Sequence, residues 1–157
     1  AQGAIFTGCK LPEGMAANIA TLKAANVPLI TAVGNNGNRK DVFSPACLPD
    51  AVSVGATDNP WPGSQPIEYD PKAAPYIARY SNGAQGQTDF FLNGRWNAMQ
   101  LDGTTKFTTG TSGATAAFAG WWLLNRKATF DETFNALMAT TIDAKNEFQT
   151  GKYVRLP

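Results

Sequence analysis

The chain has 157 residues, of which 43% are hydrophobic and 16% are charged, and 13 basic against 12 acidic side chains leave a net charge of +1. This charge balance predicts neither a nucleic acid nor a membrane as partner, and the length predicts one domain over residues 1–157. The sequence has no His, so this chain alone cannot form a Ser-His-Asp triad, an imidazole-ligated metal site or a His general base.

The first third of the sequence predicts a βαβ unit. Residues 4–7 are β-prone, and residues 15–25 carry an apolar stripe at helical spacing that includes Ile19 and Leu22. Residues 29–33 predict a second strand, which a Gly-Asn-Asn-Gly turn ends. Strands connected through a helix pair in parallel by a right-handed crossover.

The middle of the sequence predicts further strands. Residues 51–56 have the composition of a buried strand, and the prolines of the following loop exclude regular structure there. Residues 76–80 and 89–92 predict two more short strands. The fold class predicted is therefore α/β, with part of a parallel sheet and flanking helices.

The last third predicts two helices. From Ser112 to Leu124 the sequence is apolar and uncharged, which predicts a buried helix whose first turn aims free N–H groups at the preceding loop. The longest nearly apolar stretch, from Ala114 to Leu124, is about half of the ~20 residues that a membrane span requires. Thr129 and Glu132 form a capping-box pattern that predicts a second helix, and residues 147–157 predict a small hairpin or an edge strand.

Two short motifs are candidates for chemistry. Residues 110–114 (Gly-Thr-Ser-Gly-Ala) open the predicted buried helix, and residues 32–37 (Ala-Val-Gly-Asn-Asn-Gly) end a predicted strand. Taken singly, the first is most often only a helix cap and the second only a turn. Their meaning depends on the sequence around them.

Five stretches in one order along the chain resemble the C-terminal half of the subtilase (subtilisin-like) serine protease domain, from about residue 3 to residue 141. They are Ala32-Val33-Gly34-Asn35 for Ala-Ala-Gly-Asn, residues 44–56 for Tyr-Pro-Ala and Val-Ile-Ala-Val-Gly-Ala, residues 79–83 for Phe-Ser-Asn-x-Gly, residues 89–94 for Asp-x-x-Ala-Pro-Gly, and Gly110-Thr111-Ser112 for the start of Gly-Thr-Ser-Met-Ala-x-Pro. Five matches in the family's order are hard to obtain by chance.

The resemblance implies a serine endopeptidase that acts on a peptide or protein substrate and needs no cofactor for its chemistry. Ser112 would be the nucleophile. Asn35 would donate its side-chain N–H to the oxyanion, together with the backbone N–H of Ser112. Ala32, Val33 and Gly34 would line one wall of the pocket for the side chain that precedes the scissile bond.

The family's Asp and His lie upstream of the segments that match here. We therefore expect a partial, subtilisin-like domain that depends on an upstream segment for both residues and is not competent alone. Lys106 could replace His in a Ser-Lys arrangement, which we do not favour. The motif also departs from the family at Gly113, where Met is usual, and at Ala116, where Pro is usual. The alternative function is a non-catalytic α/β binding module derived from a subtilase.

A sheet that lacks its neighbouring strands exposes unpaired N–H and C=O groups. We therefore expect the chain to associate with the upstream half of the same protease, with a second copy, or by aggregation.

The resemblance also implies a disulfide between Cys9 and Cys47, since some secreted subtilases have a Cys at each of these places. The alternative is two buried free thiols. A disulfide would indicate an oxidising compartment, so the expected localisation is secreted or periplasmic.

Structural calcium is common in the family, and the candidate carboxylates are Asp50, Asp58, Asp70 and Asp89. Their spacing matches no defined calcium loop, so solvated turn carboxylates are the preferred interpretation.

Four tryptophans complete the set of candidate residues. Trp121 and Trp122 are adjacent on a helix and cannot share a face, so one is expected in the core and the other against another segment. Trp61 and Trp96, in predicted loops, are candidates for contact with a substrate or partner.

Overall fold

The computed structural model describes residue 9, residues 12–58 and residues 75–156. Three helices lie within this part of the chain, namely α1 (Met15–Ala24), α2 (Thr111–Leu124) and α3 (Phe130–Ala139). The seven strands there are β1 (Leu29–Ala32), β2 (Ala51–Thr57), β3 (Phe90–Asn93), β4 (Arg95–Met99), β5 (Thr105–Thr109), β6 (Ile142–Lys145) and β7 (Thr150–Tyr153). The predicted strand at residues 4–7 lies outside the described residues.

Five of these strands form one sheet in the order β1-β2-β3-β7-β6. β1, β2 and β3 are parallel, and β7 runs in the same direction beside β3. β6 is antiparallel to β7, to which a short hairpin joins it. A mostly parallel sheet with helices packed on it confirms the predicted α/β class.

The main core lies between the sheet and α2. Val52, Val54 and Ala56 alternate along β2 and are completely buried on the face that α2 covers. Phe118 of α2 stacks there on Phe90 of β3, with 4.6 Å between the ring centroids. Every residue of β2 is buried, because both faces of this interior strand are covered.

The helix predicted to be wholly buried is buried on one side only. α2 begins at Thr111 and directs Phe118 and Trp122 towards the core. Its other side is open, and Leu123 and Leu124 are 69% and 80% exposed. The expectation of complete burial is wrong, because the sheet packs against one face of the helix. Among the described residues, no helix combines the length and the apolarity needed to cross a membrane.

The two other predicted helices are confirmed. α1 begins at Met15, although only Ile19 of its predicted stripe is buried and Leu22 is 40% exposed. α3 starts with the predicted capping box, in which the Thr129 hydroxyl accepts the Glu132 N–H and the Glu132 carboxylate accepts the Thr129 N–H. Trp122 takes the core position predicted for one of the paired tryptophans.

The predicted strand at residues 76–80 is wrong. Tyr76 and Ile77 form isolated bridges only, and the chain then turns, with the Ser81 N–H donating to Ala78 O at 2.9 Å. This turn directs the segment towards the loop after β1 instead of continuing along the sheet edge.

The structure contains a β-hairpin after β3 that was not predicted from the sequence. β4 and β5 pair antiparallel, and a tight turn joins them where Thr104 donates its N–H and hydroxyl to Asp102. The Asp-Gly pair at residues 102–103 and the threonines after it were the signal for this hairpin. Trp96, expected in a loop, therefore lies on a strand.

Candidate active site

Two segments that are distant in sequence meet where β1 ends and α2 begins. The Val33 N–H extends the pairing of β1 by donating to Val54 O at 3.1 Å, and Asn35 then emerges exposed to solvent. α2 starts beside it, after Gly110, and packs along β1 and β2. The carboxyl edge of a parallel sheet is where α/β proteins bind their ligands.

Thr111 and Asn35 make the central contact of this site. The Thr111 backbone N–H and hydroxyl both donate to Asn35 Oδ1, at 2.8 and 2.9 Å. Thr111 is completely buried, so its two donors are held in place. Among the described residues, Asn35 Nδ2 has no protein acceptor, so the amide keeps two free donor hydrogens.

Ser112 is the second residue of α2, and its side chain is exposed. Its backbone N–H lies in the first helical turn, where the helix itself supplies no acceptor. The aligned peptide dipoles place partial positive charge at this end of the helix. The structure thus places a hydroxyl, a free backbone N–H and the Asn35 amide on one short stretch of surface.

Two residues of the expected pocket wall, Val33 and Gly34, are buried by the loop that follows β1. The Val33 side chain is completely buried against Val42 and Ala46, so it points into the molecule. Gly34 adopts φ 102°, and a Cβ there would lie 2.6 Å from Phe43 Cδ2. The Phe43 ring, which sequence reasoning did not single out, therefore packs directly on the backbone at the end of β1.

Asn82 holds the loop that carries Asn35. Its Oδ1 accepts the N–H groups of Asn36 and Asn38, both at 2.9 Å, and its own N–H donates to Gly34 O at 3.0 Å. Asn82 is completely buried, and the resemblance gave it no role. The conformation of the loop after β1 is thus fixed by a residue 46 positions from Asn36.

An ion pair lies at the neighbouring end of β2. Arg95 Nε is 2.9 Å from Asp58 Oδ1, and the Asp58 side chain is 7% exposed. Burial raises the pKa of the nearby Tyr80 above its ordinary value, and the negative charge of Asp58 adds to this shift, so the phenol stays protonated. Arg95 and Asp58 are thus structural partners of each other at the margin of the site.

No general base accompanies Ser112 within the part of the chain that the structure describes. Lys106 is the second residue of β5, where it is exposed and pairs with Ala98. A strand rises about 3.4 Å per residue, which places the Lys106 backbone about 10 Å from that of Thr109. The described structure therefore does not bring Lys106 and Ser112 together.

Cys9 and Cys47 form a disulfide, with 5.6 Å between their Cα atoms. The predicted pairing is confirmed, and the alternative of two free thiols is wrong. The bond joins the segment before α1 to the loop that follows β1.

The candidate calcium ligands that the structure describes all have protein partners. Asp50 pairs with Lys23, Asp58 pairs with Arg95, and Asp89 Oδ2 accepts the Ser53 N–H and hydroxyl. Within the described residues, no group of three or more His, Cys, Asp or Glu side chains could hold a metal ion. Asp70 lies outside these residues. The three engaged carboxylates therefore do not fit a calcium centre as they stand.

Comparison with known proteins decides the family. The sequence model of the subtilase family matches residues 8–152. The chain belongs to the subtilase family. Subtilases need no cofactor for their chemistry, in agreement with the expectation from the sequence. No curated protein sequence matches this subtilase chain.

Solved subtilisin-like proteases share its fold. The prenylagaramide maturation protease PagA is 26% identical, with a TM-score of 0.70, and the alignment covers 90% of this chain and 50% of PagA. The patellamide maturation protease PatA is 22% identical, with a TM-score of 0.69, over 92% of this chain and 52% of PatA. A cold-adapted subtilisin-like serine proteinase is 22% identical, with a TM-score of 0.68, and the alignment covers 91% of this chain and 50% of the proteinase. The chain thus spans about half the length of these structures.

Proposed function

We propose that this chain is the part of a subtilase endopeptidase that supplies the nucleophile and the oxyanion site for peptide-bond hydrolysis. The observation that carries the proposal is the double hydrogen bond from Thr111 to Asn35 Oδ1. Because the amide oxygen is occupied, the amide nitrogen is the end left to donate beside Ser112. An amide donor next to a serine at a helix start suits a developing oxyanion.

The chemistry then follows the acyl-transfer route. Ser112 Oγ attacks the scissile carbonyl carbon as its proton passes to a general base, and the carbonyl oxygen becomes negative. Asn35 Nδ2 and the Ser112 N–H donate to that oxygen, and the helix dipole adds to its stabilisation. Protonation of the amine releases the leaving half of the substrate, and water hydrolyses the acyl-serine ester.

The general base and its orienting carboxylate would come from the upstream half of the same protease. Two features support this: the chain spans about half the length of its structural relatives, and the outer side of α2 is apolar and open. An apolar groove of about 450 Å³ continues that side between α2 and β1, lined by residues that include Val27, Ala119 and Leu123. A second copy of the chain is the other partner that this surface could take.

The substrate is a peptide or protein. The end of β1 would form a pocket wall on the acyl side of Ser112, where the half-buried Ala32 is accessible to the substrate and the buried Val33 and Gly34 lie behind it. The disulfide supports an oxidising compartment, so the protein would be secreted or periplasmic.

A fluorophosphonate probe tests the proposal, because it labels only a serine that a base has activated. The chain is treated alone and together with the upstream half of its parent protease, and Ser112→Ala is the matched control. We expect labelling of Ser112 only in the mixture, and none in the variant.

Each other outcome contradicts a defined part of the proposal. Absence of labelling in a mixture that forms a complex would leave the non-catalytic binding module as the function. Labelling of the chain alone would show that it carries its own base, and dependence on an upstream half would be wrong.

A further inference from the structure

Trp96 of β4 lies directly against the first turn of α2. A Cβ added to Gly113 would lie 2.7 Å from Trp96 Cδ1 and 3.3 Å from Nε1. The indole therefore occupies the space that a side chain at position 113 would need, beside Ser112. The Met of the family's nucleophile motif is absent here, and an aromatic ring from another element fills its place.

The indole is held firmly in this position. Trp96 Nε1 donates to Asn93 O at 2.7 Å, and Thr108 is its cross-strand neighbour on β5. The base of the hairpin is anchored to the site, since the Gly110 N–H donates to Gly94 O at 2.9 Å. Trp96 nevertheless keeps part of its surface exposed. A fixed aromatic ring binds an apolar group at little cost in conformational entropy.

The order of the strands determines which part of a substrate can reach this ring. Asn35 follows β1, Trp96 follows β3, and β2 lies between these strands. A peptide whose acyl half lies at the end of β1 and whose scissile carbonyl lies at Ser112 directs its leaving half towards the β3 side. The indole lies on that side.

We propose that Trp96 is a specificity-determining residue, whose indole contacts the side chain immediately after the scissile bond and selects apolar side chains there. This inference rests on the proposed function, since it needs cleavage at Ser112. Gly113 makes this position of the indole possible, because any larger residue there would displace the ring.

The test uses the chain complemented with its upstream half and two peptides that differ only after the scissile bond, with Leu in one and Gly in the other. We expect the wild-type complex to prefer Leu, and Trp96→Ala to lower the ratio of kcat/KM values about tenfold, the size typical of an apolar side-chain contact. Trp96→Phe should keep part of the preference. Gly113→Met in the Trp96→Ala background should restore part of it, because Met refills the vacated space.

Phe107→Ala is the matched control. Phe107 is an aromatic residue of the same hairpin, and it belongs to the opposite face because it pairs with Asn97, the neighbour of Trp96. Its removal should leave the ratio unchanged. An active complex whose ratio is unaffected in all Trp96 variants would overturn this inference alone, and a wild-type complex that cleaves neither peptide would overturn the proposed function with it. Circular dichroism identifies any variant that fails to fold. If Trp96→Ala does not fold, the ratios of Trp96→Phe and of the Trp96→Ala, Gly113→Met double variant test the inference instead.

Discussion

The Asn35 amide could present either its oxygen or its nitrogen to the start of α2, because the two ends of an amide have nearly the same shape. Thr111 removes this ambiguity, since its N–H and its hydroxyl are both donors and both meet Asn35 Oδ1. The reverse orientation would place an amide hydrogen against the Thr111 backbone N–H, which cannot accept a hydrogen bond. One buried threonine thus determines that Asn35 offers a donor to the site.

Substitutions of these two residues should slow the labelling of Ser112 in the complemented enzyme. Asn35→Ala removes the side-chain donor, and in subtilisin, itself a subtilase, loss of such a donor lowers kcat about 10²–10³-fold. Thr111→Val removes one of the two hydrogen bonds, worth about 1 kcal/mol, so we expect a loss of about fivefold. Thr111→Ser keeps the hydroxyl and is the control. Equal rates for the Val and Ser variants would show that the hydroxyl does not position Asn35.

At the scale of elements, the aromatic residues join α2 to the sheet and to α3. Phe118 stacks on Phe90, and Phe134 of α3 meets Phe90 edge to face with 5.1 Å between the centroids. This packing sets the height of α2 over the sheet, and with it the position of Ser112 beside Asn35. The core of the described structure and the geometry of the candidate site therefore depend on the same helix.

Removal of the central ring should destabilise the fold. Phe118 is completely buried, so Phe118→Ala should lower the free energy of unfolding by about 3–5 kcal/mol through lost burial and the cavity it leaves. Leu124→Ala, on the 80% exposed side of the same helix, should change it by less than about 0.5 kcal/mol. Urea unfolding followed by circular dichroism measures both. Both are measured below the concentration at which the chain self-associates, and similar losses would then mean that another part of the same chain covers the open side of α2.

At the scale of the whole molecule, the two sides of the described sheet differ in how far further strands extend them. The β3 side of the sheet is continued by β7 and β6, whereas β1 is at the opposite edge of the described sheet. The open apolar side of α2 adjoins that edge through the groove lined by Val27 and Leu123. The free energy falls when a partner covers apolar surface of this kind and removes it from water.

We therefore predict that the chain self-associates alone and forms a defined complex with the upstream half. Leu123→Gln should weaken that complex roughly tenfold or more, because burial of a leucine contributes about 1.5–3 kcal/mol. Met99→Gln, which changes a 78% exposed residue on the β4–β5 hairpin, is the control and should have no effect. Analytical ultracentrifugation distinguishes the species. A stable monomer that binds no upstream half would contradict this expectation.

Elements whose signal is local could be predicted from the sequence. The buried strand β2, the capping box of α3 and the helix that begins near Ser112 were all predicted, because periodicity, capping residues and apolar runs act within a few residues. The family motifs also singled out Ser112, Asn35 and the paired cysteines. These features required no knowledge of what lies across the fold.

How these residues meet could not be predicted from local patterns and follows from the packing of the fold. The orientation of the Asn35 amide depends on Thr111, which lies 76 positions away, and the Trp96 ring takes the place of a side chain on a helix that begins after an intervening hairpin. The composition of α2 is apolar on all sides, as in a helix buried in a core, yet one side of the helix is open. Composition alone could not predict this, because burial also depends on which surfaces surround a helix. Such contacts join distant parts of the chain, and local patterns do not encode the distances between them.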